Sequence, residues 1–285
     1  MNVAAAIAVL ASAIASPVSA LAPEIPAAHL SRVSRLVSEA LGDEGVGGRS
    51  VDDATDSAAA AAARYASVRS AVADFNRDIP VPANELVYGE LSVPTLGKIL
   101  DAVGLQEEET FLDVGAGDGA CVLGASLLYN QDDTTVISKC IGVEIVPGLV
   151  DRSRRHSEKL AELLQREKGN DSGLRQTQAQ VEFLLGDVHD SRDQMMSQVL
   201  SQATVVVCFA TTWCAGNTES GDKTSLQGRR LPKLSKALST LKRGARVVII
   251  DGKLDSRDGF VWQGDLRIVC PDTAPYSTAT LYYKK

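Results

Sequence analysis

The stretch FLDVGAGDGA, residues 111 to 120, constrains the fold more than any other part of this sequence. An apolar run stops at Gly115, Gly117 and Gly119, and a second, helix-forming run follows. Glycine accepts the backbone angles of a sharp turn at low cost and lets the main chain come close to a ligand. The stretch therefore predicts a strand that turns tightly into a helix, with a ligand at the turn.

Further along the chain, apolar runs alternate with helix-forming stretches. Runs of this kind, with little polar alternation, are typical of parallel strands buried on both faces. After the fifth run, GFVWQGDLRIV and STATLYYKK follow each other with only a proline-bearing loop between them. We expect a doubly wound, Rossmann-like α/β sheet with a C-terminal antiparallel strand pair and an N-terminal helical extension. The five parallel strands are predicted in TFLDVGAG, SKCIGVEI, QVEFLLGDV, ATVVVCFAT and ARVVIIDGK.

The N-terminal region reads as a targeting segment followed by a linker. Residues 1–20 contain an apolar run of about signal-peptide length, and the small residues of PVSA place a cleavage site after Ala20. The run lacks the preceding positive charge that is typical of a signal peptide. It is also too short to span a bilayer, so we expect no membrane span in the mature chain. Residues 21–78 are interpreted as a linker and helical extension, and residues 79–285 as the main domain.

Two features of the extension bear on location. LAPE after the cleavage site is similar to the signal-plus-transit junctions of algae with secondary plastids, and HLSRVSRLVSEAL has the spacing of an amphipathic helix. An organelle is therefore expected, with a plastid as the first candidate. Free cysteines fit an organelle better than the cell exterior.

Composition excludes several classes of function. The net charge is -7, which argues against strong nucleic-acid binding. The five cysteines form no CxxC motif and are interpreted as buried apolar residues, and the three histidines show no metal-ligand spacing. We expect neither a disulfide framework nor a metal site.

Three acidic residues follow three successive predicted strands. Asp113, Glu144 and Asp187 should meet at the carboxyl edge of the sheet, where ligands bind in such folds. GAGDGA also matches a dinucleotide fingerprint, but Asp113 and Asp118 would oppose a pyrophosphate. S-adenosylmethionine carries a sulfonium and an ammonium, which suit the acidic strand ends. In this arrangement Glu144 accepts hydrogen bonds from the ribose hydroxyls and Asp187 accepts one from the adenine amine.

The segment ELVYGELSVPTLGKIL, residues 85 to 100, carries a family resemblance. Together with FLDVGAGDGA, GVEIVP and GDV, it resembles the class I methyltransferases of the disruptor-of-telomeric-silencing family, the non-SET histone-lysine methyltransferases. The resemblance implies that S-adenosylmethionine is the cofactor and that it lies between the V-Y-G-E segment and the glycine loop. The residues implied to bind it are Tyr88, Gly89, Glu90, Leu91, Phe111, Asp113, Gly115, Ala116, Gly117, Asp118, Gly119, Glu144, Asp187, Val188 and Phe209.

The chain departs from that family after the fourth predicted strand. The family has Asn-Asn-Phe there, whereas this chain has CFATTW, with Phe209 and Ala210 in the asparagine places. Thr211, Thr212 and Trp213 are the candidate catalytic residues, because hydroxyls and an aromatic wall can orient an ammonium. Alternatively, Trp213 only caps the core beneath a loop. The lysine-rich flanks of the nucleosome-binding relatives are also missing, so a non-histone protein substrate competes with histones.

Several functions stay open at this point. The leading one is methyl transfer to an exposed protein lysine, with histones included and with the nucleus as the alternative location. A small-molecule methyltransferase would use the residues before 79 as a lid, and a non-catalytic binder would keep the cofactor fold without turnover. Methyltransferases of base exocyclic amines typically carry a Pro-Pro motif after the fourth strand, and this chain has none there.

Overall fold

The computed structural model describes residues 25–42, 66, 68, 70–75, 91–130, 136–170, 179–210, 229–268 and 277–285. The described strands are β1 Glu109–Val114, β2 Ile137–Glu144, β3 Gln180–Leu185, β4 Val205–Phe209, β5 Arg246–Ile250, β6 Phe260–Ile268 and β7 Ser277–Lys284. They form one sheet in the order β3-β2-β1-β4-β5-β7-β6. The first five strands are parallel, and β7 runs antiparallel to β5 and β6.

This sheet confirms the predicted doubly wound architecture and its C-terminal antiparallel pair. The helices are α1 Ala27–Ala40, α2 Val93–Val103, α3 Ala120–Leu128, α4 Pro147–Asn170, α5 Gln194–Gln202 and α6 Pro232–Leu238, and residues 70–75 are also helical. The chain winds outward from β1 to β3 and then crosses to β4 on the other side of β1. A crevice for a ligand is expected where the strand order reverses, at the carboxyl ends of β1 and β4.

The two faces of the sheet carry separate apolar layers. Alternate residues of β1 divide between them: Phe111 packs with α1, α2, α3 and α4, whereas Leu112 packs with α5 and α6. In β4, Val207 and Val206 divide in the same way. Burial on both faces explains why the sequence of these strands is apolar at nearly every position.

Helix α1 is an integral part of the first apolar layer. Val33 and Leu36 are fully buried, as the predicted amphipathic spacing requires. Arg32 of this helix forms an ion pair with Glu167 of α4 at 2.6 Å, and Arg35 pairs with the same carboxylate. The predicted domain boundary at residue 79 and the signal-like residues 1–20 lie outside the described residues.

Helix α2 was not assigned from the sequence, although its ends carry ordinary helix signals. The Ser92 hydroxyl accepts a hydrogen bond from the Thr95 N–H at 3.3 Å, and Gly104 ends the helix in a left-handed conformation. Its buried face packs against α3. Helix α2 therefore holds the chain directly after the predicted V-Y-G-E segment against the helix that follows the glycine loop.

Two kinds of feature are absent from the described residues. None of their helices is long and apolar enough to cross a bilayer. They also contain no cluster of His, Cys, Asp or Glu side chains suited to a metal ion. Cys140 and Cys208 are buried free thiols in β2 and β4.

Candidate functional site

The glycine loop between β1 and α3 has the backbone that the sequence predicts. Gly115, Gly117 and Gly119 have φ angles of 82°, 56° and 95°, in the region that other residues adopt at a cost. A β-carbon at Gly119 would also lie 2.8 Å from the Phe183 ring of β3. The third glycine is therefore required twice, by its own backbone and by close packing against the neighbouring strand.

Glu144, the last residue of β2, is tied to the glycine loop through backbone amides. Its Oε2 accepts a hydrogen bond from the Gly117 N–H at 2.9 Å, and its Oε1 accepts from Ile145 at 2.8 Å and Val146 at 3.0 Å. Burial raises the pKa of this carboxyl, and the three hydrogen bonds offset part of the rise. Because a carboxylate has about four acceptor positions, one is left for a ligand. If two ribose hydroxyls donate hydrogen bonds to Glu144, one of the three backbone amides must lose its hydrogen bond to this carboxylate.

Asp113 adds a second buried carboxyl one residue before the end of β1. Burial, and after it the nearby charge of Glu144, together raise the pKa of Asp113 from 3.8 to about 7. Two carboxyls that disfavour each other's ionisation are each stabilised in the charged form by an added cation. The ends of β1 and β2 therefore bring together two buried carboxyls whose charge suits a cation, and their predicted role in binding the cofactor stays a prediction.

Asp118 lies against α4. It is fully buried, and its Oδ2 lies 3.9 Å from the Arg152 guanidinium. Its backbone carbonyl accepts a hydrogen bond from His156 Nδ1 at 2.9 Å. The sequence argument that Asp118 opposes a pyrophosphate is weakened, because Arg152 offsets its charge. The argument from Asp113 and Glu144 is unaffected.

Helix α4 supports the loop at a third point. The Ser153 hydroxyl, which is fully buried, lies 3.0 Å from the Gly117 carbonyl and 2.9 Å from the Leu149 carbonyl. Gly117 is thus held on both sides, by Glu144 at its N–H and by Ser153 at its carbonyl. Sequence reasoning missed Ser153, His156 and Phe183, because nothing in a charged helix or an apolar strand distinguishes residues that contact a loop far along the chain.

The end of β3 presents the third predicted carboxylate. Asp187 is exposed, and its Oδ1 accepts hydrogen bonds from the His189 N–H at 2.9 Å and from His189 Nδ1 at 3.0 Å. The His189 side chain is the main cause that lowers the pKa of Asp187, and Lys233 contributes through its charge. Val188 is buried in the second apolar layer. A hydrogen bond of 3.0 Å from the Gly186 N–H to the Glu144 carbonyl keeps this end beside β2.

With this geometry in view, residues 77–216 match the family described as "Histone methylation protein DOT1". The matched range includes the glycine loop, all three predicted carboxylates and the end of β4. The chain is a DOT1-like class I methyltransferase. The cofactor of such enzymes is S-adenosylmethionine, in agreement with the prediction from the carboxylates. No curated protein matches the chain.

Several solved structures that match the DOT1-like chain are methyltransferases of low sequence identity. A methyltransferase from Geobacter sulfurreducens in complex with S-adenosyl-L-homocysteine is 12% identical, with a TM-score of 0.43 over 70% of this chain and 94% of that chain. One from Thiobacillus denitrificans, with the same ligand, is 12% identical, with a TM-score of 0.42 over 72% and 99%. Magnesium protoporphyrin IX methyltransferase from Synechocystis is 12% identical, with a TM-score of 0.39 over 68% and 83%.

The remaining predicted residues of the DOT1-like domain lie in three places. Phe111 and Leu91 are buried in the first apolar layer, so the structure gives both a packing role. Phe209 is partly buried at the end of β4, and Ala116 is buried in the glycine loop. The other predicted residues lie outside the described residues, and their roles stay predictions: Tyr88, Gly89, Glu90, Thr211, Thr212 and Trp213.

Proposed function

We propose that this methyltransferase transfers a methyl group from S-adenosylmethionine to the side-chain amine of a protein lysine. The observation that carries the proposal is the match of residues 77–216 to the DOT1 family, which acts in histone methylation. The buried carboxyl pair Asp113 and Glu144 beside the glycine loop supports the cofactor side of the reaction. The proposal assigns the acceptor side to the end of β4.

The described residues bind and orient rather than react. When bound, S-adenosylmethionine supplies a methyl group on a positively charged sulfur. Asp113 and Glu144 provide negative charge next to that cation, and Glu144 also provides an acceptor for a ribose hydroxyl. The N–H groups at the start of α3 would bind the carboxylate of the cofactor. Rate enhancement then comes mainly from holding the amine in line with the methyl group.

The acceptor assignment is tested by following the label. The purified protein is incubated with S-adenosylmethionine tritiated on the methyl group and with fractionated cell extract. We expect label in protein, released as methyl-lysine on hydrolysis, and reduced labelling by the Glu144→Ala variant. Label confined to small molecules or to RNA contradicts the proposal.

A small-molecule acceptor is the second candidate, because helical residues cover one side of the site. Val68, together with residues 71, 72 and 75, packs against Val146 and Leu149, directly after Glu144. A lid in this position favours a closed pocket over an open peptide channel. Val68→Asp, which disturbs this cover and leaves α1 in place, would then remove activity on a small molecule. If the acceptor is a peptide, we expect the same change to weaken cofactor binding more than acceptor binding.

We also propose that the mature protein works in an organelle, with a plastid as the first candidate and the nucleus as the alternative. The support is the signal-like N-terminal sequence, followed by LAPE. A fluorescent protein fused to the C-terminus, with the N-terminus free, tests the proposal. A purely nuclear signal, with recombinant nucleosomes methylated better than free histones, would restore a histone assignment.

A further inference from the structure

Positive charge is concentrated in one segment of this acidic protein. Residues 229–258 contain nine Lys and Arg and three Asp, in a chain with 29 basic and 36 acidic residues. Seven of the nine basic side chains belong to exposed residues. The segment surrounds α6, whose buried side packs into the second apolar layer through Leu231, Leu234 and Leu238.

Two contacts gather five of these residues around α6. Arg230 and Lys253 face each other in a parallel backbone bridge, while Ser235 Oγ accepts a hydrogen bond of 2.9 Å from the Asp255 N–H. The second contact brings the loop that carries Arg257 onto the helix. We call this region the α6 surface, and its exposed basic residues are Arg230, Lys233, Lys236, Lys253 and Arg257.

Among the described residues, close ion pairs are fewer on the α6 surface than on α4. On α4, Arg154 pairs with Asp151 and Arg166 pairs with Glu162, each at 3.7 Å. On the α6 surface, Arg257 pairs with Asp255, whereas the other four form no ion pair with any residue in the described ranges. Like charges held close together repel, and an anionic partner relieves that repulsion.

The α6 surface adjoins the acceptor side of the site. The guanidinium of Arg229, next to Arg230, donates a hydrogen bond to the Ala210 carbonyl directly after β4. After the hydrogen bonds from His189, the charge of Lys233 also lowers the pKa of Asp187 at the end of β3. A chain whose lysine entered at the end of β4 would therefore pass close to these basic side chains.

We propose that the α6 surface binds an acidic stretch of the substrate protein next to the methylated lysine. The inference rests on the proposed function and specifies its substrate class. A short acidic segment suits the local extent of this patch, whereas the net charge of -7 opposes a long polyanion such as DNA. Attraction here sets the affinity for the acceptor, and the cofactor site stays as it is.

Binding is tested with two labelled probes, an oligoglutamate peptide and a short DNA duplex, by fluorescence anisotropy over a range of salt concentrations. The test variant is Lys236→Glu with Lys253→Glu, which leaves Lys233 beside Asp187 unchanged. The control is Lys242→Glu with Arg243→Glu, which makes the same charge change before β5, at the opposite edge of the sheet. We expect the peptide to bind at least about tenfold more weakly to the test variant and nearly unchanged to the control.

Three outcomes overturn the inference. They are no peptide binding by the unaltered protein, equal weakening by test and control variants, and tighter binding of DNA than of peptide. Methylation of lysine peptides with acidic or with neutral flanks then distinguishes a failure of this inference from a failure of the proposed function. If both peptides are methylated with equal kcat/KM, the α6 surface does not select the substrate, and the proposed lysine methylation still stands. Methylation of neither, while S-adenosylmethionine binds, removes the lysine assignment.

Discussion

The carboxyl edge of the sheet has two halves of opposite character. At the ends of β1 and β2, Asp113 and Glu144 are 4% and 8% exposed, and backbone N–H groups hold Glu144 in place. Beyond β4 and β5, the basic residues Arg230, Lys233 and Lys253 are exposed, with no ion pair among the described residues. Buried negative charge suits a small cation that replaces water, and exposed positive charge suits a partner that arrives through solvent.

The difference shows where each kind of specificity resides. The cofactor half is organised by main-chain contacts, which any sequence with the right glycines and carboxylates can make. The acceptor half depends on side chains at the surface, which vary without disturbing the core. The cofactor half therefore indicates the class of reaction, and the acceptor half determines which acceptor is chosen.

The largest expected effect comes from Gly117→Val. A β-branched residue at a φ of 56° is strained, and Gly117 is held at both its N–H and its carbonyl. We expect cofactor affinity to fall by at least about 3 kcal/mol by calorimetric titration, with the fold retained in circular dichroism. Gly264→Val is the control, because a β-carbon there meets nothing within 4 Å. Normal binding by Gly117→Val would show that the loop does not approach the ligand.

Removal of the Glu144 carboxylate should have the next largest effect. Glu144→Ala is expected to weaken S-adenosylmethionine binding by about 1.5–3 kcal/mol, the range for a hydrogen bond to a charged group. Glu182→Ala removes the same charge from β3, where the side chain pairs with Lys139 at 2.8 Å. Binding to the control should stay unchanged. An unaltered dissociation constant for Glu144→Ala would remove this residue from the cofactor site.

Asp113 should make cofactor binding depend on pH. Because its pKa in the free protein is raised to about 7, a cationic ligand must displace a proton below that pH. Affinity should therefore fall as the pH drops from about 8 to about 6, and Asp113→Asn should bind weakly with little pH dependence. The sign for stability is opposite, since the folded state holds the extra proton. The contribution of Asp113 to the free energy of unfolding decreases as pH rises from about 4 to about 7. An affinity of the unaltered protein for S-adenosylmethionine that does not change with pH contradicts the predicted pH dependence of binding.

The elements that were predicted correctly carry their signal locally. Each parallel strand is an apolar run, and Glu144 follows one of them directly, so its place at the edge required only the strand assignment. Helix α1 was predicted from its spacing but assigned to an extension. Its burial depends on α3 and α4, and its ion pairs join residue 32 to residue 167, a pairing that no local pattern contains.

Asp118 shows the limit of reasoning about charge from the sequence. Its position inside the glycine loop suggested that its carboxylate faces a ligand, whereas the structure turns it under α4 toward Arg152. The direction of the Asp118 side chain depends on which residue of the distant helix α4 lies opposite it, here Arg152. The same holds for Ser153, which is one polar residue among many in α4 until the loop is packed against it.

The smallest expected effect comes from Ser153→Ala, and it separates positioning from simple stability. Ser153 and Ser126 are both fully buried helical serines whose hydroxyls contact a carbonyl of their own helix, at 2.9 Å and 2.8 Å. Only Ser153 also reaches the glycine loop, at the Gly117 carbonyl. Each alanine variant should lower the free energy of unfolding by about 1 kcal/mol. Ser153→Ala alone should raise KM for S-adenosylmethionine several-fold, with kcat less affected, because the loop binds the cofactor in the ground state. Equal KM values for the two variants would make the contact between α4 and the loop purely structural, and the cofactor half would then depend on Glu144 alone to hold Gly117.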